Sequence, residues 1–168
     1  LTPMHNGLLG THHLNEVLQS RLNPSGDFLL HKNKKFRIGD RVLQVRNDYD
    51  NDIYNGDIGR ILSISGDSLF AQFEDKTVLL SGAQLNDLEL AYAVSIHKSQ
   101  GSEYPAVVIV IHKEHWILLR RNLLYTAVTR AKRFCCLIGS AWAMEMAAQK
   151  QEGSKRYTGL STRLKGDE

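Results

Sequence analysis

Two polar signatures in the second half of the chain, Ser95-Ile96-His97-Lys98-Ser99-Gln100-Gly101-Ser102-Glu103 and Tyr125-Thr126-Ala127-Val128-Thr129-Arg130-Ala131-Lys132-Arg133, each adjoin a strongly apolar run. The run from Val107 to Ile111 is continuous and β-branched, the pattern of a strand covered on both faces. Open sheets of such strands hold their ligands just beyond the strand ends. The charged signatures therefore fall where α/β proteins bind phosphates, and Arg130 is the candidate catalytic group.

The rest of the chain reads as an α/β fold interrupted by something smaller. Thr11 predicts an N-cap for a core-facing helix with Leu14, Val17, Leu18 and Leu22 at helical spacing, stopped by Asn23-Pro24-Ser25-Gly26. From Phe36 to Leu85 the grammar changes to short strands, Arg41 to Arg46, Gly59 to Ile64, Leu69 to Phe73 and Thr77 to Leu80, separated by turn residues. That spacing predicts a small barrel of the SH3-like or OB type. The α/β pattern then resumes with strands near Leu88 to Val94, at Ala106 to Ile111 and at Phe134 to Gly139. Ser140 predicts the cap of a last helix through Trp142, Met146 and Ala147. The expected fold class is α/β, a discontinuous domain over 1–35 and 86–168 with a small β-barrel inserted at 36–85.

Composition limits the alternatives. A chain of 168 residues with 42% hydrophobic content can bury a sizeable core. No apolar run approaches the roughly 20 residues that span a bilayer, so no membrane partner and a cytoplasmic location are expected. Cys135 and Cys136 are neighbours in an apolar run, which argues against a disulfide framework and for buried thiols. The net charge of +3 does not by itself require nucleic acid. Lys32, Lys34, Lys35 and Arg37 cluster in what reads as one loop, and Lys150, Lys155, Arg156, Arg163 and Lys165 stud the C-terminal tail, both as solvated segments. The opening Leu-Thr-Pro-Met reads as a strand already under way, so a larger parent protein is expected.

Three tempting sites carry nothing. Asp48, Asp50 and Asp52 imitate a calcium loop, but Ile53 stands where that loop needs glycine and Gly59 where it needs glutamate. His12-His13 and His112 with His115 lack convergent partners, so no metal site is expected. Trp116 and Trp142 read as core aromatics rather than base-stacking platforms.

The two signatures gain meaning together. In the first, Gly101 permits close backbone approach, His97, Lys98, Ser99 and Gln100 offer donors to phosphate oxygens, and Glu103 offers an acceptor to ribose hydroxyls. In the second, Tyr125, Thr129 and Lys132 fall at helical spacing, with Arg130 leaving the helix toward a neighbouring surface. A transferring phosphoryl group gathers charge on its equatorial oxygens, and a planar guanidinium from across a cleft stabilises it bidentately, which lysine does poorly. No Gly-x-x-x-x-Gly-Lys-Ser/Thr loop occurs in the sequence, so the main phosphate cradle has to come from elsewhere.

The segment 91–105, Ala-Tyr-Ala-Val-Ser-Ile-His-Lys-Ser-Gln-Gly-Ser-Glu-Tyr-Pro, resembles motif V of superfamily-1 helicases, and 121–132, Arg-Asn-Leu-Leu-Tyr-Thr-Ala-Val-Thr-Arg-Ala-Lys, resembles their motif VI. The wording is most similar to the RecD/TraA branch. Gly39-Asp40-Arg41-Val42 and 54–61 resemble that branch's SH3-like insertion, and 2–11 with Leu14-Asn15 its motif IV region. Asn6 departs from the pattern, since related sequences often carry a basic residue there.

The resemblance implies a second RecA-like motor domain of an ATP-dependent DNA helicase moving 5′ to 3′. Arg130 would be its arginine finger, and Gly101 and Glu103 would line the nucleotide cleft. Ser95, His97 and Lys98 would touch single-stranded DNA. ATP and Mg2+ are the implied cofactors, held mainly by a first RecA-like domain of the same protein. Single-stranded or duplex DNA and subunits of a nuclease complex are the implied partners. On the resemblance this segment alone is expected to be inactive. The alternative is a non-catalytic DNA- or protein-binding module on a degenerate RecA-like scaffold. The ordered finger arginine, glycine and glutamate favour the motor.

Overall fold

The computed structural model describes residues 1–150. The basic tail from Lys155 to Lys165 lies outside the described residues. Helix α1 (Thr11–Leu22) leads into a hairpin of β1 (Phe28–His31) and β2 (Lys34–Arg37). Strands β3 (Arg41–Gln44), β4 (Ile58–Ser65), β5 (Ser68–Phe73), β6 (Lys76–Ser81) and β7 (Leu88–Leu90) follow, with a 3-10 turn over Gly82–Asp87. The remainder comprises β8 (Tyr104–Ile111), α2 (Arg121–Val128), β9 (Ala131–Gly139) and α3 (Ala141–Gln149). Among the described residues no helix is long and apolar enough to cross a membrane.

Strands β3 to β7 form a five-stranded antiparallel sheet in the order β6-β5-β4-β3-β7. The alternation along β5 and β6 turns Leu69, Ala71, Phe73, Val78 and Leu80 to one face. There they meet Val42, Ile53, Ile61, Leu85 and Leu88. Each fully buried side chain of this size contributes roughly 1.5–3 kcal/mol relative to exposure. The edge strands β6 and β7 do not pair, so the anticipated barrel is an open, SH3-like sheet. The hairpin β1–β2 was not anticipated, since its lysines read as a loop. Its register sets Leu29 opposite Phe36 on the inner face, and both join the same core.

The second sheet is parallel. Strand β8 pairs β9 from Tyr104↔Ala131 to Ile111↔Gly139. On its other side Val110 N–H donates to the Leu1 carbonyl (2.9 Å), while Thr2 bridges Ser95 in the parallel sense. Helices α2 and α3 cover one face through Leu123, Ala127, Ala143 and Ala147, which pack on Val107, Ile109 and Ile111. Together with the inserted antiparallel sheet, this is the α/β class that the sequence indicated.

Several local expectations are corrected. Gly10, not Thr11, is the N-cap of α1, because the Met4 and His5 carbonyls already take the Thr11 and His12 N–H groups. That helix does not bury an apolar stripe: Thr11, Asn15 and Gln19 are inside, while Val17 and Leu22 are exposed. Side-chain amides are needed there because the neighbours are bare backbone, and Asn15 clamps Ala93 N–H together with the Leu90 and Ala93 carbonyls. The strand anticipated at 88–94 stops at Leu90 for the same reason. Strand β8 is covered on one face only, leaving Val108 exposed among the described residues.

Both tryptophans lie outside, Trp116 58% and Trp142 50% exposed, on the turn before α2 and the outer side of α3. Cys135 and Cys136 are half-buried free thiols rather than fully buried ones. Ser140 caps α3 as expected, its Oγ accepting from Ala143 N–H at 3.2 Å.

Candidate functional site

Both signatures lie at one end of the parallel sheet. The chain turns through 95–103 immediately before β8, and α2 delivers Arg130 immediately before β9. Because β8 and β9 are parallel neighbours, the residues entering them are necessarily adjacent, and Tyr104 N–H donates to the Arg130 carbonyl at 2.8 Å.

Helix α2 ends at Val128 and Thr129 is its C-cap, so Arg130 does leave the helix. Lys132 belongs to β9 rather than to a helical face shared with Tyr125 and Thr129. The Arg130 guanidinium folds over the end of α2 onto the glycine turn. Nη1 donates to the Ser102 carbonyl (3.0 Å), Nε to the Thr126 carbonyl (3.2 Å) and Nη2 reaches Thr129 Oγ1 (3.4 Å). All three acceptors are neutral, and the group remains half-exposed. A guanidinium so held keeps its full charge and can exchange carbonyls for anionic oxygens.

Gly101 has φ +86, which an L side chain rarely adopts, and nothing approaches the position of a Cβ there. The glycine is required by the turn itself, with open space above it. Glu103 meets Lys132 Nζ at 3.2 Å, with both side chains exposed. Screening by water makes such a pair worth little by itself. Gly101, Ser102, Glu103, Arg130 and Lys132 thus form one cluster.

The other candidates separate from that cluster. Ser95 is buried and its Oγ accepts from Lys98 N–H (3.3 Å), so it shapes the turn instead of facing outward. Ser99 is buried too, donating to the Ile96 carbonyl at 2.8 Å. His97 is exposed, and Lys98 reaches out to Asn55 Oδ1 at 2.7 Å. A cleft of about 270 Å³ lies beside His97 and Gln100, with Arg120, Asn122 and Thr126 on its opposite wall. Asn122 and Asn55 lie within the segments 121–132 and 54–61 but drew no site role from the sequence, and Arg120 lies outside both; only the packing of α2 and of the β3–β4 connection brings them here.

His115 lies just before the Ile117 and Leu118 wall of that cleft. It is buried, its Nδ1 accepts from His112 N–H at 3.2 Å, and burial lowers its pKa. Asp48 acts as a turn cap, accepting from the Asn51 side chain and from the Asn51 and Asp50 N–H groups, and the Asn51 side-chain bond foremost lowers its pKa.

Residues 14–78 match the ATP-dependent RecD-like DNA helicase SH3 domain, and residues 90–138 match the UvrD-like helicase C-terminal domain. The chain is 42% identical over 165 residues to the ATP-dependent RecD2 DNA helicase of Deinococcus radiodurans, covering 98% of this chain and 23% of that protein. It is 38% identical over 128 residues to the RecBCD enzyme subunit RecD of Mycolicibacterium smegmatis, covering 76% of this chain and 22% of that one. It thus spans about a quarter of the length of the curated relatives it matches.

Among solved structures, the Pif1 helicase from Bacteroides in complex with ADP-AlF3 and ssDNA has a TM-score of 0.61 at 15% identity, covering 98% of this chain and 44% of that chain. The Pif1 helicase from Candida albicans has a TM-score of 0.56 at 17% identity, over 98% and 49% respectively. These last two are likenesses of fold.

Proposed function

We infer that this chain, which belongs to the RecD-like DNA helicases of superfamily 1, supplies one wall of an ATP-hydrolysing cleft and part of a single-stranded DNA track. The observation that carries this reading is the Arg130 guanidinium on the Gly101–Glu103 turn, bonded to the Ser102 carbonyl at 3.0 Å. A planar, always charged guanidinium suits bidentate recognition of a phosphoryl group, and Arg130 is half-exposed and bonded to neutral acceptors.

In this reading Arg130 is the arginine finger, and Gly101 and Glu103 line the nucleotide cleft. ATP with Mg2+, held by a first RecA-like domain, supplies the phosphoryl group. Arg130 leaves the Ser102 carbonyl for the charge that develops on that group in the transition state. Lys132 keeps the Glu103 carboxylate at the rim. His97 and Lys98 face the DNA backbone, while Ser95 acts through the turn it holds. Residues 1–35 and 86–168 belong to the motor fold and 36–85 to the insert, with the β1–β2 hairpin straddling the first join. Movement 5′ to 3′, a cytoplasmic location and service in a nuclease complex belong to the same reading, the last through the relatives named RecBCD enzyme subunit RecD.

The deciding experiment is Arg130→Ala in the complete protein. Turnover is expected to fall by about 10³-fold or more while nucleotide affinity is retained. Unchanged turnover would remove the assigned role. The 168-residue chain alone is expected to hydrolyse no ATP.

A further inference from the structure

We propose that Asn55, on the β3–β4 connection of the insert, is a positioning residue that sets the Lys98 ammonium on the DNA track, so that the insert is a working part of that track. The proposal rests on the DNA-facing role of Lys98 given above. Its observation is the 2.7 Å hydrogen bond from Lys98 Nζ to Asn55 Oδ1, across 43 residues of sequence.

Both ends of that bond are braced. Asn55 N–H donates to Asn47 Oδ1 (2.9 Å), Tyr54 N–H to Asp57 Oδ2 (2.8 Å) and Gly56 N–H to the Gln44 carbonyl (2.9 Å). The same loop is pinned to the core by Ile53, which is buried and bridged to Asp48. On the other side Lys98 sits in the turn closed by Ser95 and Ser99. The lysine stem and the short Asn55 side chain thus bridge two fixed loops.

The chemistry of the acceptor fits a positioning role. An ammonium has three N–H donors, and a carbonyl oxygen takes one, leaving two for phosphate oxygens. Because the amide is neutral, the lysine keeps its charge for the anion. A carboxylate at this position would hold the ammonium equally well but cancel that charge. Ordering a long side chain in advance reduces the entropy lost on binding.

The test measures binding of the full-length helicase to oligodeoxythymidylate as a function of KCl concentration. Asn55→Ala should weaken binding about 3–10-fold with the salt slope unchanged. Asn55→Asp, which is isosteric and keeps the turn, should weaken it further and lower the slope by about 0.7, as Lys98→Ala does. In the Lys98→Ala background, Asn55→Ala should add nothing, which a merely structural role in the loop would not reproduce. An equal effect of Asn55→Ala in both backgrounds overturns the proposal, as does a silent Asn55→Ala beside a weakened Lys98→Ala. If Asn55→Ala loses the fold, Asn55→Asp decides alone: an unchanged salt slope overturns the positioning role. A silent Lys98→Ala overturns instead the DNA role on which the proposal stands.

Discussion

Phe36 and Phe134 are both strand phenylalanines, yet the first is fully buried in the antiparallel sheet's core while the second, on the parallel sheet, is 59% exposed. The contrast holds for the regions around them. The inserted sheet closes on residues from 29 to 90 that are near one another in sequence. The parallel sheet covers one face with helices and leaves Ala106, Val108, Phe134 and Ile138 on the other. There, Leu14, Leu18 and Leu22 of α1 border a groove of about 490 Å³. Consolidated packing and the proposed site residues are housed apart: Arg130, Glu103, His97 and Lys98 all stand on turns of the less enclosed region. Local stability that varies across a molecule commonly follows this division.

That division can be broken or sharpened by experiment. The largest effect is catalytic: Arg130→Ala, which should abolish most turnover, should cost less than about 1 kcal/mol of stability by urea unfolding, because its partners remain solvated. A large stability loss would show that the arginine serves packing rather than chemistry. Next come the two phenylalanines. Phe36→Ala should cost about 3–5 kcal/mol in urea unfolding, whereas Phe134→Ala in this chain should cost under about 1 kcal/mol. Equal losses would break the comparison.

Asp40, where the two regions meet, should fall just below Phe36. Its buried carboxylate accepts from Gln19 Nε2, Asn23 Nδ2 (2.7 Å), Tyr92 Oη (2.8 Å) and Arg37 N–H (2.7 Å). Burial, with the bond to Asp40 second, pushes the Tyr92 phenol up to about 12. Asp40→Ala takes the acceptor from the Tyr92 hydroxyl and the Arg37 N–H, while Gln19 Nε2 and Asn23 Nδ2 keep the Lys35 and Ile38 carbonyls, and should cost about 3 kcal/mol, read as a lower unfolding midpoint.

The smallest expected effect is a pH dependence at His115. Burial lowers its folded pKa below the unfolded value of about 6.5, so between those two values the unfolded chain binds the extra proton. The stabilisation associated with neutral His115 is therefore complete above about pH 6.5 and is lost as pH falls toward the folded pKa. Unfolding free energies measured from pH 7.5 down to pH 5.5 should show this decline, flattened in His115→Gln.

Much of the architecture was legible because it rests on short-range pattern. Period-2 alternation located β4, β5 and β6 to within a residue or so, and the β-branched run located β8. The hairpin β1–β2 was not legible, since Lys32, Lys34 and Lys35 mask Leu29 and Phe36, the two residues that bury it. Helix α1 misled for the opposite reason. Its leucines show a helical period, but its buried face carries Asn15, whose partners lie 75 and 78 residues away.

The amino-acid order alone determined that two polar signatures would each adjoin an apolar strand, because each signature and its strand are contiguous in the chain. Only the tertiary structure decided which of those polar groups meet. Parallel pairing of β8 with β9 brings Arg130 to Ser102 and Lys132 to Glu103, and the inserted sheet brings Asn55 to Lys98. Contacts of that kind depend on how elements distant in sequence pack, and no local periodicity encodes them.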